Sequence, residues 1–290
     1  MFGWMNREKY SIDGKVVIVT GALGAIGKGL VSRLVQKGAR VMLVDMQPTD
    51  IGAKYAKEIQ GKSQAEYVQV DLRTDKGIRQ MLDQTVAKFG QIDVLVNNAG
   101  LASPQGLYDS NETFDNISDI LAVNLRAPIE ATRLFVKHIQ QRDIKKGQEG
   151  AVIVNVASMA GLVPSKGAEI YGAAKAGLLH LTKSSASLAP MVRVCAVAPY
   201  FVRSPMVLDN PKHKNNNTIV PALMLSIDQV CRAVERCIED LGSAGKVHAM
   251  MGSVAFRRVW LFELAWIQVM ALAVWALFIS PFKRLFGRSA

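Results

Sequence analysis

The chain has 290 residues, 50% of them hydrophobic and 20% charged, which is enough to form one sizeable folded domain. Three cysteines without a Cys-x-x-Cys pair argue against a disulfide framework and a zinc site, and they favour a reducing compartment. The net charge of +11 suits a solvated basic surface or attraction to anionic lipid. Nucleic acid is disfavoured as a partner, because no basic helix with interleaved aromatic residues occurs.

Short apolar runs alternate with helix-period sequence from the first strand to residue 252. Seven strands are predicted in this part of the chain. They are residues 16–20, 40–45, 66–72, 92–100, 151–158, 192–199 and 245–252. Helices are predicted between them, for example at 28–37 and 75–89. This alternation is typical of right-handed βαβ units, so we expect a Rossmann-type α/β fold: a doubly wound parallel sheet of about seven strands.

A glycine-rich segment separates the first predicted strand from the first helix. Glycines in this setting let the backbone approach a pyrophosphate, and the helix N-terminus offers N–H groups and partial positive charge. Asp45 ends the second predicted strand, where a carboxylate can bind the adenosine ribose hydroxyls and repel a 2′-phosphate. The pattern predicts a dinucleotide site that favours NAD over NADP, with an ordinary strand-end Asp45 as the alternative. The predicted loop contacts are Gly21, Leu23, Gly24, Ala25, Ile26 and Gly27.

Tyr171 and Lys175 are four residues apart in a predicted helix and therefore share one face. A free tyrosine has a pKa of about 10, and lowering it by ~3 units requires roughly 4 kcal/mol. One close cation at an effective dielectric constant near 20 supplies about that much. Such a pair is usually a surface coincidence, so its meaning depends on the surrounding motifs.

Over about residues 10–252 the chain resembles the short-chain dehydrogenase/reductase family. Four motifs carry the resemblance: the cofactor loop, a turn after the fourth strand, an asparagine motif and a strand that ends in a serine. They are residues 20–27, 97–100, 122–125 and 154–161. Ser158 precedes Tyr171 by 13 residues, which is the family spacing.

The resemblance implies a catalytic set of four residues and no metal. Tyr171 would exchange a proton with the substrate oxygen, and Lys175 would lower the pKa of Tyr171 and hold the nicotinamide ribose. Ser158 would bind the substrate oxygen, and Asn124 would hold a water that relays protons from Lys175. The resemblance also implies further cofactor contacts from Asp71 and Leu72 at the adenine, from Asn98, Ala99 and Gly100 along the cleft, and from Val202 and Ser204 at the carboxamide.

Three positions depart from the family pattern. Ala25 replaces the middle glycine of the cofactor loop and adds a methyl group near the pyrophosphate. Cys195 and Tyr200 stand where asparagine and glycine are common, and Tyr200 is expected to narrow the pocket beside the nicotinamide. The four catalytic residues are complete, so an active enzyme is expected. The family also pairs helices between subunits, which implies a homodimer or homotetramer.

The C-terminal part differs from the rest. Residues 260–280 are apolar apart from Glu263, and as a helix they would span roughly 31 Å, close to the ~30 Å hydrocarbon core of a bilayer. Cations flank this segment on both sides. We therefore expect a catalytic domain at 1–253 and a hydrophobic membrane-associating helix with a basic tail at 254–290. The catalytic domain would face the cytosol at the endoplasmic reticulum, a lipid droplet or another organelle surface.

Residues 203–225 follow the sixth predicted strand, where the family caps its substrate, and their apolar ends favour a lipophilic substrate. Residues 154–164 and Asp45 also resemble the branch of the family that contains 15-hydroxyprostaglandin dehydrogenase, with membrane-bound hydroxysteroid and retinol dehydrogenases as close rivals. The resulting hypothesis is NAD-dependent interconversion of a lipophilic secondary alcohol and its ketone. The alternatives are a keto-lipid reductase that uses NADPH and a non-catalytic scaffold on a membrane or lipid droplet.

Overall fold

The structure is a computed structural model that describes residues 9–61, 63–102, 107–108, 113–142, 150–209, 219–252 and 254–258. These residues form one sheet with helices on both faces. The strands are β1 (Val16–Thr20), β2 (Arg40–Asp45), β3 (Ala65–Gln69), β4 (Val94–Asn97), β5 (Ala151–Val156), β6 (Val192–Pro199), β7 (Val247–Met251) and β8 (Val254–Arg258). The α-helices are α1 (Ala25–Gln36), α2 (Thr49–Ile59), α3 (Asp75–Phe89), α4 (Phe114–Leu121), α5 (Ala127–Gln140), α6 (Glu169–Ser184), α7 (Pro205–Leu208) and α8 (Ile227–Glu239). A π-helical segment, Ala122–Arg126, joins α4 to α5, and short 3-10 turns lie at Met159–Gly161, Ser185–Leu188 and Pro221–Leu223.

The strand order is β3-β2-β1-β4-β5-β6-β7-β8. Strands β1 to β7 pair in parallel; Val17, for example, lies opposite Val41 of β2 and Val94 of β4. This topology confirms the predicted Rossmann-type sheet of seven parallel strands. The connections after β1 and β4 leave in opposite directions, which opens a crevice at the carboxyl edge of the sheet between these two strands.

Two helical layers cover the sheet because its strands are apolar on both faces. One face packs against α1, α2 and α8 through residues such as Leu30, Leu34 and Val234. The other face packs against α3 and α5 through residues such as Met81 and Phe135, and α6 adds a third cluster around Leu178. Parallel sheets buried in this way consist of continuous apolar strands rather than alternating ones, as observed for β1.

The observed elements differ from the predicted ones mainly at their ends. Helix α1 begins at Ala25 rather than at residue 28, so the glycine loop runs directly into the first helical turn. Strand β3 ends at Gln69 rather than at residue 72, because the carbonyl of Asp71 accepts the N–H and hydroxyl of Thr74 and turns the chain into α3. The predicted adenine residues Asp71 and Leu72 therefore lie in a turn, not in a strand.

The last predicted strand ends at residue 252, and the structure adds one more strand after it. Val254–Arg258 forms β8, next to β7 in the strand order. An edge strand leaves a row of N–H and C=O groups that a following segment can pair with. The apolar run 260–280 lies outside the described residues, and among those that are described no helix is long and apolar enough to cross a membrane.

Candidate active site

The glycine loop packs closely against the turn that follows β4. Gly21 has a φ of +62°, and a Cβ there would lie 2.8 Å from the Cα of Ala99. A Cβ on Gly27 would lie 2.1 Å from the carbonyl oxygen of Gly21. Any larger side chain at these two positions would push the loop away from β4 or from α1. The glycines therefore hold the loop in the crevice between β1 and β4.

Thr20, which is not among the predicted site residues, fixes that turn. Its hydroxyl accepts the N–H groups of Asn98 and Ala99, each at 3.0 Å. The Asn98 amide donates to the carbonyls of Thr20 at 2.9 Å and Gly21 at 3.1 Å. The predicted contacts at residues 98–100 are thus brought beside the predicted glycine loop. The signal that could have identified Thr20 is its position directly before the glycine loop.

Asp45 lies beside the glycine loop, as predicted. One of its carboxylate oxygens accepts the N–H of Leu23 at 3.0 Å, and the other accepts the N–H of Gln47 at 3.3 Å. From β3, the Tyr67 hydroxyl lies 3.1 Å from the Asp45 carbonyl and also bonds the Gln47 carbonyl. Burial and the charge of Asp45 raise the pKa of Tyr67 to about 12, so Tyr67 remains a donor at neutral pH. Tyr67, another residue that sequence reasoning missed, holds the turn after Asp45.

The arrangement around the loop fits a dinucleotide. The first α1 hydrogen bond runs from the Lys28 N–H to the Gly24 carbonyl at 2.8 Å, so the N–H groups of Ala25, Ile26 and Gly27 precede the helical ladder. Such groups bind phosphate oxygens, and the helix dipole adds favourable potential. Gly24 is exposed and leaves the approach to them open. The methyl group of Ala25 lies in this first turn, at the predicted departure from the family loop.

Helix α6 and the strand end of β5 bring three predicted catalytic residues together. Ser158 follows β5; its hydroxyl accepts the Ala160 N–H at 3.2 Å, and its side chain acts to lower the pKa of Tyr171 on α6. The Lys175 ammonium lies 5.6 Å from the centre of the Tyr171 ring. It donates to the carbonyl of Val156 at 2.9 Å and is almost fully buried. Phenol, hydroxyl and ammonium therefore converge where a substrate oxygen could bind.

Asn124, the fourth predicted catalytic residue, is buried in the π-helical segment. Its amide donates to the Leu101 carbonyl at 2.8 Å and accepts the Leu101 N–H at 3.2 Å. A Cβ on Gly100 would lie 2.9 Å from the Asn124 side-chain oxygen and 3.6 Å from the Lys175 nitrogen. Asn124 and Lys175 therefore border the same small space, which suits a water that both can bind. π-Helical turns are rare and occur frequently at functional sites.

The ionisation of the pair differs from the simple expectation of a tyrosine with a lowered pKa. Burial raises the pKa of Tyr171 above its usual value of 10, and the hydrogen bond from Ser158 acts in the opposite direction. Burial also lowers the pKa of Lys175 to about 8. With this pKa Lys175 is still mostly protonated at neutral pH, whereas burial favours the neutral form of Tyr171. The lowering predicted for Tyr171 requires positive charge in addition to what the protein supplies.

A buried amide network links the central strands to α6. The Asn97 amide donates to the Asn155 side-chain oxygen at 2.9 Å, and the Asn155 amide donates to the Thr182 hydroxyl at 2.9 Å. Thr182 in turn donates to the Leu178 carbonyl. The network ties the ends of β4 and β5 to the helix that carries Tyr171 and Lys175. Asn155 was not selected from the sequence, because a single asparagine in a strand carries no signal of its partners.

The loop after β6 holds the remaining predicted residues. Val202 forms a bridge with Leu225, and Ser204 precedes the short helix α7; both are buried. The Tyr200 hydroxyl accepts the N–H of Val220 at 3.3 Å, so this tyrosine braces the 203–225 loop from its base. Residues 210–218, the polar middle of that loop, lie outside the described residues.

Known proteins that resemble this chain support the assignment of this site. The profile of the short chain dehydrogenase family matches residues 15–215, and the chain belongs to that family. It is therefore an oxidoreductase that interconverts alcohol and carbonyl groups with a nicotinamide dinucleotide.

Relatives within the family differ in cofactor and substrate. Rat 15-hydroxyprostaglandin dehydrogenase [NAD(+)] is 34% identical over 210 residues, which is 70% of this chain and 74% of the relative. The NADP-dependent (R)-specific alcohol dehydrogenase of Lentilactobacillus kefiri is 32% identical over 202 residues, 68% of this chain and 77% of the relative. The structure of Brucella melitensis 3-ketoacyl-(acyl-carrier-protein) reductase complexed with NADH superposes with a TM-score of 0.73 at 30% identity, covering 84% of this chain and 99% of that one.

Proposed function

We propose that this chain oxidises lipophilic secondary alcohols and uses NAD as its cofactor. The observation that carries the choice of cofactor is Asp45, whose carboxylate is held beside the glycine loop by two backbone N–H groups. A carboxylate there accepts hydrogen bonds from ribose hydroxyls and repels a 2′-phosphate. The relative that oxidises prostaglandins with NAD supports the same assignment.

The lipophilic character of the substrate is supported by exposed apolar side chains at the carboxyl edge of the sheet. Val163 follows β5, Met206 and Leu208 belong to α7 after β6, and Val220 lies near the end of the same loop; their exposed fractions are 43% to 57%. These loops follow β5 and β6 and therefore leave the same edge of the sheet as the strand end that carries Ser158. An apolar rim of this kind suits a substrate with a long hydrocarbon part.

The chemistry follows from the positions of the catalytic side chains. A bound dinucleotide would supply the hydride acceptor, and the positive charge of its oxidised nicotinamide ring would add to that of Lys175 in favouring ionised Tyr171. Ser158 holds the alcohol oxygen, and Tyr171 takes the hydroxyl proton as general base. Lys175 and a water held by Asn124 return that proton to solvent. A non-catalytic scaffold is disfavoured because all four groups converge on one space.

We also propose, from the sequence, that residues 260–280 attach the enzyme to a membrane, with the catalytic domain in the cytosol, and that the enzyme is a homodimer or homotetramer. Sedimentation with membranes and light scattering in detergent test these two statements separately.

The cofactor assignment is tested by steady-state kinetics of the purified protein with NAD and with NADP, using a hydroxylated fatty acid, a hydroxysteroid and 2-propanol. We expect a higher kcat/KM with NAD, and Asp45→Ala should change the NAD:NADP ratio by about 10- to 100-fold, the value of one or two hydrogen bonds to a charged group. Preference of the unaltered enzyme for NADP would contradict the proposal. Equal kcat/KM for 2-propanol and the lipids would contradict the substrate class.

A further inference from the structure

Arg73 connects two parts of the site that are distant in sequence. Its Nε donates to the two oxygens of Asp71 at 3.0 and 3.1 Å, and Nη2 adds a contact to Asp71 at 2.9 Å. Its Nη1 donates to Asp119 on α4 at 2.7 Å. The guanidinium therefore links the turn after β3, where the adenine is expected, to the helix that precedes the π-helical segment.

The backbone of Arg73 makes a second connection to the same region. Its carbonyl accepts a hydrogen bond from Nη2 of Arg126, the last residue of the π-helical segment. Nη1 of Arg126 also lies 3.5 Å from a carboxylate oxygen of Asp75. Asp119 and Arg126 stand on either side of Asn124 in the chain. Arg73 thus holds the helix both before and after the residue that borders the catalytic lysine.

Both connections of Arg73 act on groups whose positions matter for function, namely the Asp71 carboxylate and the segment that contains Asn124. A bidentate Arg–carboxylate pair fixes the plane of the carboxylate, and the charge of Arg73 keeps the pKa of Asp71 below its usual value. The π-helical segment departs from the ordinary helical hydrogen-bond pattern, so its geometry depends on tertiary contacts. Since the ion pairs of Arg73 are about 40% exposed, their contribution to global stability is small. Their main effect is therefore on the positions of the Asp71 carboxylate and of the π-helical segment.

We propose that Arg73 is a positioning residue that orients the Asp71 carboxylate for the adenine and fixes the segment that presents Asn124. The proposal rests on the dinucleotide-dependent function given above. It predicts that one substitution outside the catalytic set weakens binding of the adenosine half of the cofactor and slows turnover.

The test compares Arg73→Gln with Arg133→Gln. Arg133 pairs with Glu130 at 2.8 Å on the exposed side of α5, so each variant loses one positive charge; Arg73→Gln removes two surface ion pairs and Arg133→Gln removes one. Calorimetry measures binding of ADP-ribose and of nicotinamide mononucleotide, and steady-state assays measure kcat. Arg73→Gln should weaken ADP-ribose about fivefold and reduce kcat about fivefold, with nicotinamide mononucleotide unchanged; Arg133→Gln should match the unaltered enzyme. Equal behaviour of the two variants would overturn the proposal.

Asp119→Ala separates the two connections, because it removes the acceptor on α4 and keeps the Asp71 pair. It should lower kcat and leave ADP-ribose affinity unchanged. Amide hydrogen exchange without nucleotide adds a readout that does not depend on activity: Arg73→Gln should exchange faster across residues 119–126. Unchanged exchange there would refute the positioning role. Failure of the unaltered protein to bind any nucleotide would instead refute the proposed function, and the exchange result would still decide the role of Arg73.

Discussion

Asn155 offers the sharpest test of how the fold supports the site. It is fully buried, accepts a hydrogen bond from Asn97 and donates one to Thr182, each at 2.9 Å. Asn155→Leu keeps a similar volume but removes both bonds. The Asn97 amide then loses its acceptor in the interior, whereas the Thr182 hydroxyl keeps the Leu178 carbonyl as a partner.

The magnitude follows from these partners. A buried donor left without an acceptor costs about 1–3 kcal/mol, and the second lost bond adds about 1 kcal/mol. We therefore expect the free energy of unfolding to fall by about 2–4 kcal/mol for Asn155→Leu. A domain of this size loses roughly 2–4 °C in Tm per kcal/mol. Turnover should fall as well, because Lys175 is bound to the carbonyl of Val156, the residue next to Asn155.

Urea unfolding of a double-mutant cycle with Thr182→Val measures the pair. Thr182→Val alone leaves the Asn155 amide unsatisfied and should cost about 1–2 kcal/mol. Because the double variant removes both partners of one bond, its cost should be at least about 0.5 kcal/mol less than the sum of the single costs. Strictly additive costs, or a loss below about 0.5 kcal/mol for Asn155→Leu, would refute the reasoning. Thr182→Ser retains the hydroxyl and is the control.

Three further predictions concern catalysis, pH and attachment. Tyr171→Phe should lower kcat by at least about 100-fold, the usual contribution of a general base, with NAD affinity within about twofold; retained turnover would remove Tyr171 from that role. Because burial lowers the pKa of Lys175 from its usual 10.5 to about 8, the folded protein binds fewer protons than the unfolded chain between these values, and stability should rise with pH across that window. Lys175→Met should be inactive yet more stable than the unaltered protein in urea at pH 7, and an unchanged pH slope would contradict the burial argument. Truncation after Arg258 should release the protein from membranes and preserve oxidation of a short alcohol; full-length protein that stays in the supernatant would exclude an anchor.

Much of the fold could be predicted because its signals are local. The bounds of β1, β2 and β6 and of α3 match the prediction, since each is a strand or helix with a continuous apolar or periodic pattern that ends at a turn residue. Strand β3 was predicted too long because apolar residues continue the strand pattern after the point where the chain already turns toward α3. Strand β8 was missed because its pairing depends on the free edge of β7 rather than on its own sequence.

The candidate site likewise has parts that could be predicted from the sequence and parts that could not. The order and spacing of the glycine loop, the serine and the Tyr–Lys pair were enough to select the chemical groups, because each motif lies within a short stretch of sequence. The partners of these groups were decided by tertiary structure alone: Thr20 beneath the turn after β4, Asn155 between Asn97 and Thr182, and Arg73 against Asp119, 46 residues away. The direction of the Tyr171 pKa belongs to the same group, since it depends on burial. Such contacts depend on which strands and helices pack side by side, and that packing cannot be predicted from single residues in a sequence.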